Sequence, residues 1–168
     1  MTTAQAEKPQ VVLLVEDEPL VRMLAADVLR EQGGLKVIEA SNAGEALRVL
    51  EAASRVRVLV TDVEMPGSLD GFMLARLVHR AWPHIGIIVL SGRMAPEPDS
   101  MPAGALFVAK PYRPETLTWM VRDVLQGSRP PSREGGAVVL PQTIKTHQLH
   151  TGIGISTGVA QPLPEPKE

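Results

Sequence analysis

The sequence VVLLVEDEP at residues 11–19 places five consecutive apolar residues directly before three acids and a proline. A short apolar run of this kind is typical of a parallel strand that is buried on both faces. Pro19 suits the first position of a helix, and Gly33 and Gly34 suit the end of one. The stretch therefore predicts a strand, a turn carrying acids, and a helix that packs back on the strand.

The same unit recurs along the chain. We predict strands at 36–40, 56–61, 85–90 and 105–109, and helices from Asn42 to about Glu51, at 71–81 and from Pro114. Asn42 and Glu45 have the spacing of a capping box. The alternation predicts an α/β fold with a parallel sheet, helices on both faces and right-handed crossovers. In such folds the functional site lies at the carboxyl ends of the strands.

Composition excludes several functional classes. The 168 residues include no cysteine, so a disulfide scaffold and a thiolate metal site are excluded. The net charge of −2 gives no basic footprint for nucleic acid. No run of 18 apolar residues is present and the first ten residues do not resemble a secretory signal, so we expect no membrane span and a cytoplasmic protein.

Proline and glycine divide the chain into one domain and two flexible ends. Residues 127–168 contain six prolines and six glycines, a density that opposes regular packing. We predict a flexible N-terminus at 1–9, a single domain at 10–126 and a flexible tail at 127–168. Within that tail, the apolar run at 137–140 could pair as a strand.

Reactive side chains stand at the ends of four predicted strands. They comprise three carboxylates, a hydroxyl and an amine: Glu16, Asp17, Asp62, Ser91 and Lys110. Crowded carboxylates repel one another unless a cation is present, and Mg²⁺ prefers such oxygen ligands. A carboxylate can also accept a phosphoryl group, a transfer that needs positioning and charge neutralisation. The set therefore suits a phosphoryl group held on an aspartate.

Four motifs resemble the receiver domain of two-component response regulators over about residues 10–126. In chain order they are VLLVEDEPLVRMLAADVL, VTDVEMPGSLDG, IIVLSG and FVAKPY. The resemblance implies a flavodoxin-like, doubly wound sheet of five parallel strands in the order 2-1-3-4-5. It also implies that Asp62 accepts phosphate from a histidine kinase or a histidine phosphotransfer protein.

The resemblance assigns a Mg²⁺ site beside the acceptor. Asp17, Asp62 and the backbone carbonyl of Glu64 correspond to the metal ligands. Glu16 belongs to the same acidic pocket, where it either reaches the metal through a water molecule or orients Lys110. The alternative for Asp17 is a simple cap of the following helix.

The resemblance also implies a switch. Ser91 and Lys110 correspond to residues that contact the phosphoryl group and signal its presence. Phe107 corresponds to an aromatic that turns inward on activation, although a Phe in a buried strand is as easily plain core. Two roles stay open for Tyr112: it contributes to a partner surface, or it is a half-buried packing residue. We expect both tryptophans to pack and the four scattered histidines to form no metal site.

Two stretches depart from the family pattern. The acceptor loop MPGSLDG is one residue longer than the common form. Between the fourth and fifth strands, residues 93–104 contain Pro96, Pro98 and Pro102 where the family has a helix. Proline inside a helix costs about 3 kcal/mol, so we predict that this helix is shortened or absent. The loss would alter the output surface and leave an apolar sheet face open to a partner or to a second copy in a homodimer.

These observations predict a stand-alone phosphoacceptor that acts through an unknown downstream protein. We expect no enzyme activity beyond weak self-phosphorylation from small phosphodonors and self-dephosphorylation. Two alternatives stay open: a protein-binding module that never uses phosphate, and a Mg²⁺-dependent phosphatase. The only hint of a phosphatase is Glu64, two residues after Asp62.

Overall fold

The computed structural model describes residues 10–52, 55–93, 95–97, 99–127 and 137–139, which form a parallel sheet flanked by four helices. The strands are β1 (Val11–Val15), β2 (Lys36–Ala40), β3 (Val56–Asp62), β4 (Gly86–Ser91), β5 (Leu106–Ala109) and β6 (Ala137–Val139). The helices are α1 (Pro19–Glu31), α2 (Ala43–Ala52), α3 (Gly71–Ala81) and α4 (Pro114–Leu125). Within these ranges no helix is long and apolar enough to cross a membrane.

The sheet has the strand order β2-β1-β3-β4-β5-β6, and every pair is parallel. The predicted order 2-1-3-4-5 is confirmed, and Ala137–Val139, within the run predicted as a possible strand, form a sixth strand beside Leu106–Val108. Residues 1–9, 128–136 and 140–168, on which the predicted flexible ends fall, lie outside the described residues. The proposed domain boundaries therefore stay a prediction.

Side chains of the central strands alternate between two apolar layers. Leu13 and Leu59 face one layer, which α2 and α3 cover. Leu14 and Val60 face the other layer, which α1 and α4 cover. Burial on both faces explains why these strands are continuous apolar runs in the sequence.

Two of the helices, α2 and α3, begin at short polar side chains that cap them. The amide of Glu45 donates to Asn42 Oδ1 at 2.8 Å, as a capping box requires. The return bond differs from the prediction, because Glu45 Oε2 accepts from the amide of Ser41 rather than from that of Asn42. At α3, Asp70 Oδ1 accepts from the amide of Met73 at 2.7 Å.

No helix joins β4 to β5 in the described part of that connection, as the prolines predicted. Isolated turns replace it, with the Ser100 amide donating to Glu97 O and Arg76 Nη1 tying Ser100 O to α3 at 2.7 Å. The predicted open apolar face, however, is wrong. The strand side chains Val89 and Phe107 are buried and Met101 packs against their cluster, so the face lacks the patch proposed for a homodimer.

The two tryptophans have different environments. Trp82 is partly buried and packs against the layer under α2 and α3. Trp119 on α4 is 63% exposed, so the prediction that it packs is wrong. The periodic apolar stripe of α4 is satisfied by Leu117, Met120 and Val121, which leaves Trp119 on the outer side.

Candidate functional site

The parallel sheet brings four strand ends to one edge. β1 is followed by Glu16, β3 ends at Asp62, β4 ends at Ser91, and β5 is followed by Lys110. The register pairs Asp62 with Leu90 and Ser91 with Ala109, so the ends are level across neighbouring strands. The predicted convergence of these side chains on one edge follows from this register.

Three carboxylates cluster at this edge. Glu16, Asp17 and Asp62 each offer an oxygen within 4.8 Å of the others. Glu16 is 4% exposed and Asp62 is 3% exposed, whereas Asp17 is half-buried. The residue at the cap position of α1 is Glu18, and no side chain caps that helix. Asp17 therefore does not act as the N-cap.

Lys110 joins two of these carboxylates. Its Nζ lies 2.8 Å from Glu16 Oε2 and 2.9 Å from Asp62 Oδ1. Burial lowers the pKa of Lys110, but hydrogen bonds and charge attraction from Glu16 and Asp62 outweigh it, so the net pKa is raised. Lys110 therefore stays a cation, and Glu16 holds it in place.

The surroundings of Asp62 disfavour its ionised form. Burial raises its pKa to about 6, because the ionised form loses hydration. Contact with Lys110 lowers the pKa, while the charges of Glu16 and Glu64 raise it. One lysine thus does not neutralise the acids around Asp62, and a second cation would stabilise its ionised form.

The chemistry of the cluster fits Mg²⁺. Asp62 Oδ1 is buried and accepts no hydrogen bond of good geometry, although it is in ionic contact with Lys110. Mg²⁺ takes one or two carboxylates and keeps several waters, which suits a pocket with one half-exposed acid. The oxygens of Asp17 and Asp62 are the ones placed to hold it, and no cluster of histidines with acids competes with them among the described residues.

The side chain of Glu64 makes contacts that the sequence analysis missed. Its carboxylate accepts from Ser91 Oγ at 2.8 Å, from the Arg93 amide at 3.0 Å and from the Gly92 amide at 3.3 Å. Burial raises the pKa of Glu64, but these hydrogen bonds outweigh it and hold the pKa below its usual range. The predicted adjacency of the third and fourth strands could have indicated that a long acid here reaches Ser91.

The two aromatics near the site lie in the apolar layers. Phe107 is buried in the layer under α2 and α3. Tyr112 is half-buried against the opposite layer, and its pKa is raised chiefly by burial. The core role weighed for Phe107 fits this position, and its inward turn on activation stays a prediction.

Comparison with known proteins identifies relatives of this chain. Residues 12–122 match the family model described as the response regulator receiver domain. The chain is 36% identical over 119 residues to sensor kinase CckA of Brucella abortus, which covers 68% of this chain and 12% of the kinase. It is 31% identical over 152 residues to the transcriptional regulatory protein PdtaR of Mycobacterium tuberculosis, which covers 88% of this chain and 73% of that protein.

Solved structures show the same architecture. The crystal structure of the receiver domain from the hybrid histidine kinase CckA aligns with a TM-score of 0.58 and 34% identity, over 69% of this chain and 99% of that chain. The chain spans only a small part of several curated relatives, such as 13% of the sensor protein TorS of Escherichia coli. The likeness to these relatives is therefore a likeness to one of their domains.

Proposed function

The chain belongs to the response regulator receiver domain family, and on that premise we propose that it accepts a phosphoryl group on Asp62 and signals through contacts with other proteins. The observation that carries the proposal is the environment of Asp62. This carboxylate is buried at a strand end, 2.9 Å from the amine of Lys110 and within reach of Glu16 and Asp17. The arrangement supplies an acceptor and the charges that phosphoryl transfer needs.

The proposed transfer uses an oxygen of Asp62 as the nucleophile. That oxygen forms a bond to phosphorus, and the bond from phosphorus to the donor, a histidine nitrogen or the oxygen of a small phosphodonor, breaks. Lys110 stabilises the charge on the moving oxygens, and Ser91 supplies a hydroxyl for one of them. Mg²⁺, held by Asp17, Asp62, the backbone carbonyl of Glu64 and Glu16 directly or through water, would add further charge neutralisation.

The proposed donor is a histidine kinase or a histidine phosphotransfer protein. α1 begins beside the acidic cluster and leaves an apolar surface exposed, with Leu20 at 65% and Leu24 at 62% exposure, next to Val21 and Met23. A protein donor must bring its phosphohistidine to Asp62, and an apolar patch beside the site suits that contact. We propose the cytoplasm as the compartment and an unidentified protein as the downstream partner.

We do not propose the phosphatase alternative. A phosphatase of this kind would use Glu64 as an acid or base on the reacting group. The Glu64 carboxylate instead accepts three hydrogen bonds from Ser91, Gly92 and Arg93, and its pKa is held low. Such a group is poorly suited to deliver a proton.

Intact-mass spectrometry after incubation with Mg²⁺ and acetyl phosphate tests the proposal. The mass should rise by one phosphoryl group in the wild type and not in Asp62→Ala. Asp27→Asn, which removes an exposed aspartate on α1, serves as the control and should be modified like the wild type. Failure to modify the wild type, with acetyl phosphate and with histidine kinases alike, would favour a phosphate-independent binding module.

A further inference from the structure

Three hydrogen-bond donors at the end of β4 converge on one carboxylate. The hydroxyl of Ser91 and the amide of Arg93 donate to Glu64 Oε1 at 2.8 and 3.0 Å, and the amide of Gly92 donates to Oε2 at 3.3 Å. We call residues 91–93 the donor turn. It binds an anion in this structure, and that anion is a side chain of the same protein.

We propose that the Glu64 carboxylate holds the donor turn in its unphosphorylated position and competes with a phosphoryl group on Asp62 for the same donors. The inference rests on the proposed function, because it concerns what happens when Asp62 is modified. It assigns a regulatory role to a side chain that the proposed transfer does not use.

Donor counting makes the competition unavoidable. The hydroxyl of Ser91 carries one hydrogen, and each backbone amide carries one. A hydrogen that points at Glu64 at 2.8 Å does not also make a full hydrogen bond to a phosphoryl oxygen. Any contact from Ser91 to phosphate on Asp62 therefore requires that the bond from Ser91 to Glu64 breaks.

Charge acts in the same direction. A phosphoryl group adds about −1.5 to −2 charge on its usual protein carriers. Glu64 stands two residues after Asp62 and its carboxylate accepts from Ser91 at the next strand end, so a phosphoryl group on Asp62 would place a second anion close to it. Glu64 is only half-buried, so its carboxylate can move into water when the new charge repels it.

Release of the donor turn would be transmitted along the chain. Arg93 is the first residue of the connection that lacks a helix, and Arg76 ties that connection to α3 through Ser100. A change at Arg93 therefore starts at one end of a segment that is hydrogen-bonded to α3 through Ser100. We call the contact between the Glu64 carboxylate and the donor turn the Glu64 latch. Its release would couple the chemistry at Asp62 to this segment.

Titration with beryllofluoride, a phosphoryl mimic, in the presence of Mg²⁺ tests the latch. Chemical shifts of the Gly92 and Arg93 amides report both binding and movement of the donor turn. In Glu64→Ala, which keeps the backbone carbonyl, the beryllofluoride concentration at half-saturation should fall about tenfold. The reason is that one to two charge-assisted bonds to the Glu64 carboxylate no longer compete for the donors of the turn. Glu64→Gln keeps an oxygen acceptor and should lie between Glu64→Ala and the wild type. Glu97→Ala removes an exposed glutamate of the same connection and should titrate like the wild type.

The outcomes separate the latch from the proposed function. Equal half-saturation in the wild type and in Glu64→Ala would overturn the latch and leave the phosphoacceptor proposal standing. Saturation of neither protein would overturn both. Tighter beryllofluoride binding by Glu64→Ala with no change in the Gly92 and Arg93 amide shifts of the free protein would also overturn the latch, because the effect would then come from charge alone and not from released donors.

Discussion

Asp62 combines deep burial with close negative neighbours, and Lys110 is the one cation in contact with it among the described residues. Burial raises its pKa to about 6. The fold therefore holds a proton on Asp62 more tightly than the unfolded chain does, whose aspartates titrate near 3.8. Between these two values the unfolded chain loses its proton first, so folding becomes less favourable as the pH rises from about 4 to 6.

Asp62→Asn should stabilise the metal-free protein in a pH-dependent way. Without Mg²⁺, the free energy of unfolding should rise by about 1–2 kcal/mol at pH 7.5. The gain should shrink steadily as the pH falls from about 6 and vanish only below about 4, where Asp62 becomes protonated in both states. Urea unfolding in EDTA across this range measures it. Asp27→Asn should show no such gain, and a gain for Asp62→Asn that is constant with pH would contradict the raised pKa.

Sequence patterns predicted the positions of most candidate site residues because each follows a strand, and their roles stay predictions. Glu16, Asp62, Ser91 and Lys110 could be placed at one edge from strand ends alone. The side-chain contacts of Glu64 were missed, although the predicted adjacency of the third and fourth strands allows a long acid at this position to reach Ser91. The resemblance used only its backbone, which any residue type supplies.

At the scale of elements, the junction between β3 and α3 fixes the backbone of the acceptor. The amide of Gly71 donates to Val63 O at 3.1 Å, and Asp70 caps the helix through the Met73 amide. A Cβ on Gly71 would overlap the backbone carbonyl oxygen of Asp62. The start of α3 can therefore approach the end of β3 only because residue 71 has no side chain.

Gly71→Ala should displace the end of β3. We expect a loss of about 1–3 kcal/mol in the free energy of unfolding, because backbone must shift to admit the methyl group. Phosphorylation from acetyl phosphate should slow as well, since Asp62 moves with the strand. Gly44→Ala on α2 is the matched control, because its Cβ would meet only Asn42 Oδ1 at 3.4 Å and alanine favours a helix. Equal stability of the two variants would refute the role of Gly71.

Elements with a strong periodic signal were predicted closely, and the exceptions have physical causes. Compared with the prediction, β4 is displaced by one residue at both ends, β3 ends one residue later and β5 starts one residue later, because the hydrogen bonding that defines a strand end is not visible in the apolar pattern. The prolines correctly predicted that no helix forms in the described part of the connection between β4 and β5, yet the sheet face beside it is covered. A loop can cover a strand face with single residues such as Met101, and residue patterns give no measure of that.

At the scale of the whole molecule, exposed apolar residues are concentrated on one helix. Four of the seven large apolar residues exposed in the described part of the chain lie on α1, close to the acidic cluster. A partner that covers these apolar side chains removes them from water, which contributes to the free energy of binding. The distribution favours α1 as the surface that a protein donor contacts.

Leu24→Ser should separate a protein donor from a small one. Transfer from a histidine kinase of the same genome should slow on the order of tenfold, because an anchor side chain is lost. Modification by acetyl phosphate should not change. Leu77→Ser, on α3 and 40% exposed, is the control and should leave both rates unchanged. If Leu24→Ser slows modification by acetyl phosphate as much as transfer from the kinase, the substitution acts on the phosphorylation site and not on docking of the donor.

Alternation of strands and helices predicted a parallel sheet with helices on both faces, and the family resemblance supplied the order of the first five strands. The sixth strand was only a possibility in the sequence. Its three residues are too few for periodicity, and their pairing partner, β5, is distant along the chain. Local patterns report local structure, and a short strand is stabilised by its neighbour.

The position of β6 affects which partners can use the edge of β5. Because β6 belongs to the same chain, its pairing with β5 is intramolecular and does not depend on protein concentration. A separate protein that adds its own strand there must first displace Ala137–Val139 and therefore loses affinity by mass action. A partner that binds the outer surface of a helix meets no such competitor. The edge strand thus selects against one whole mode of recognition.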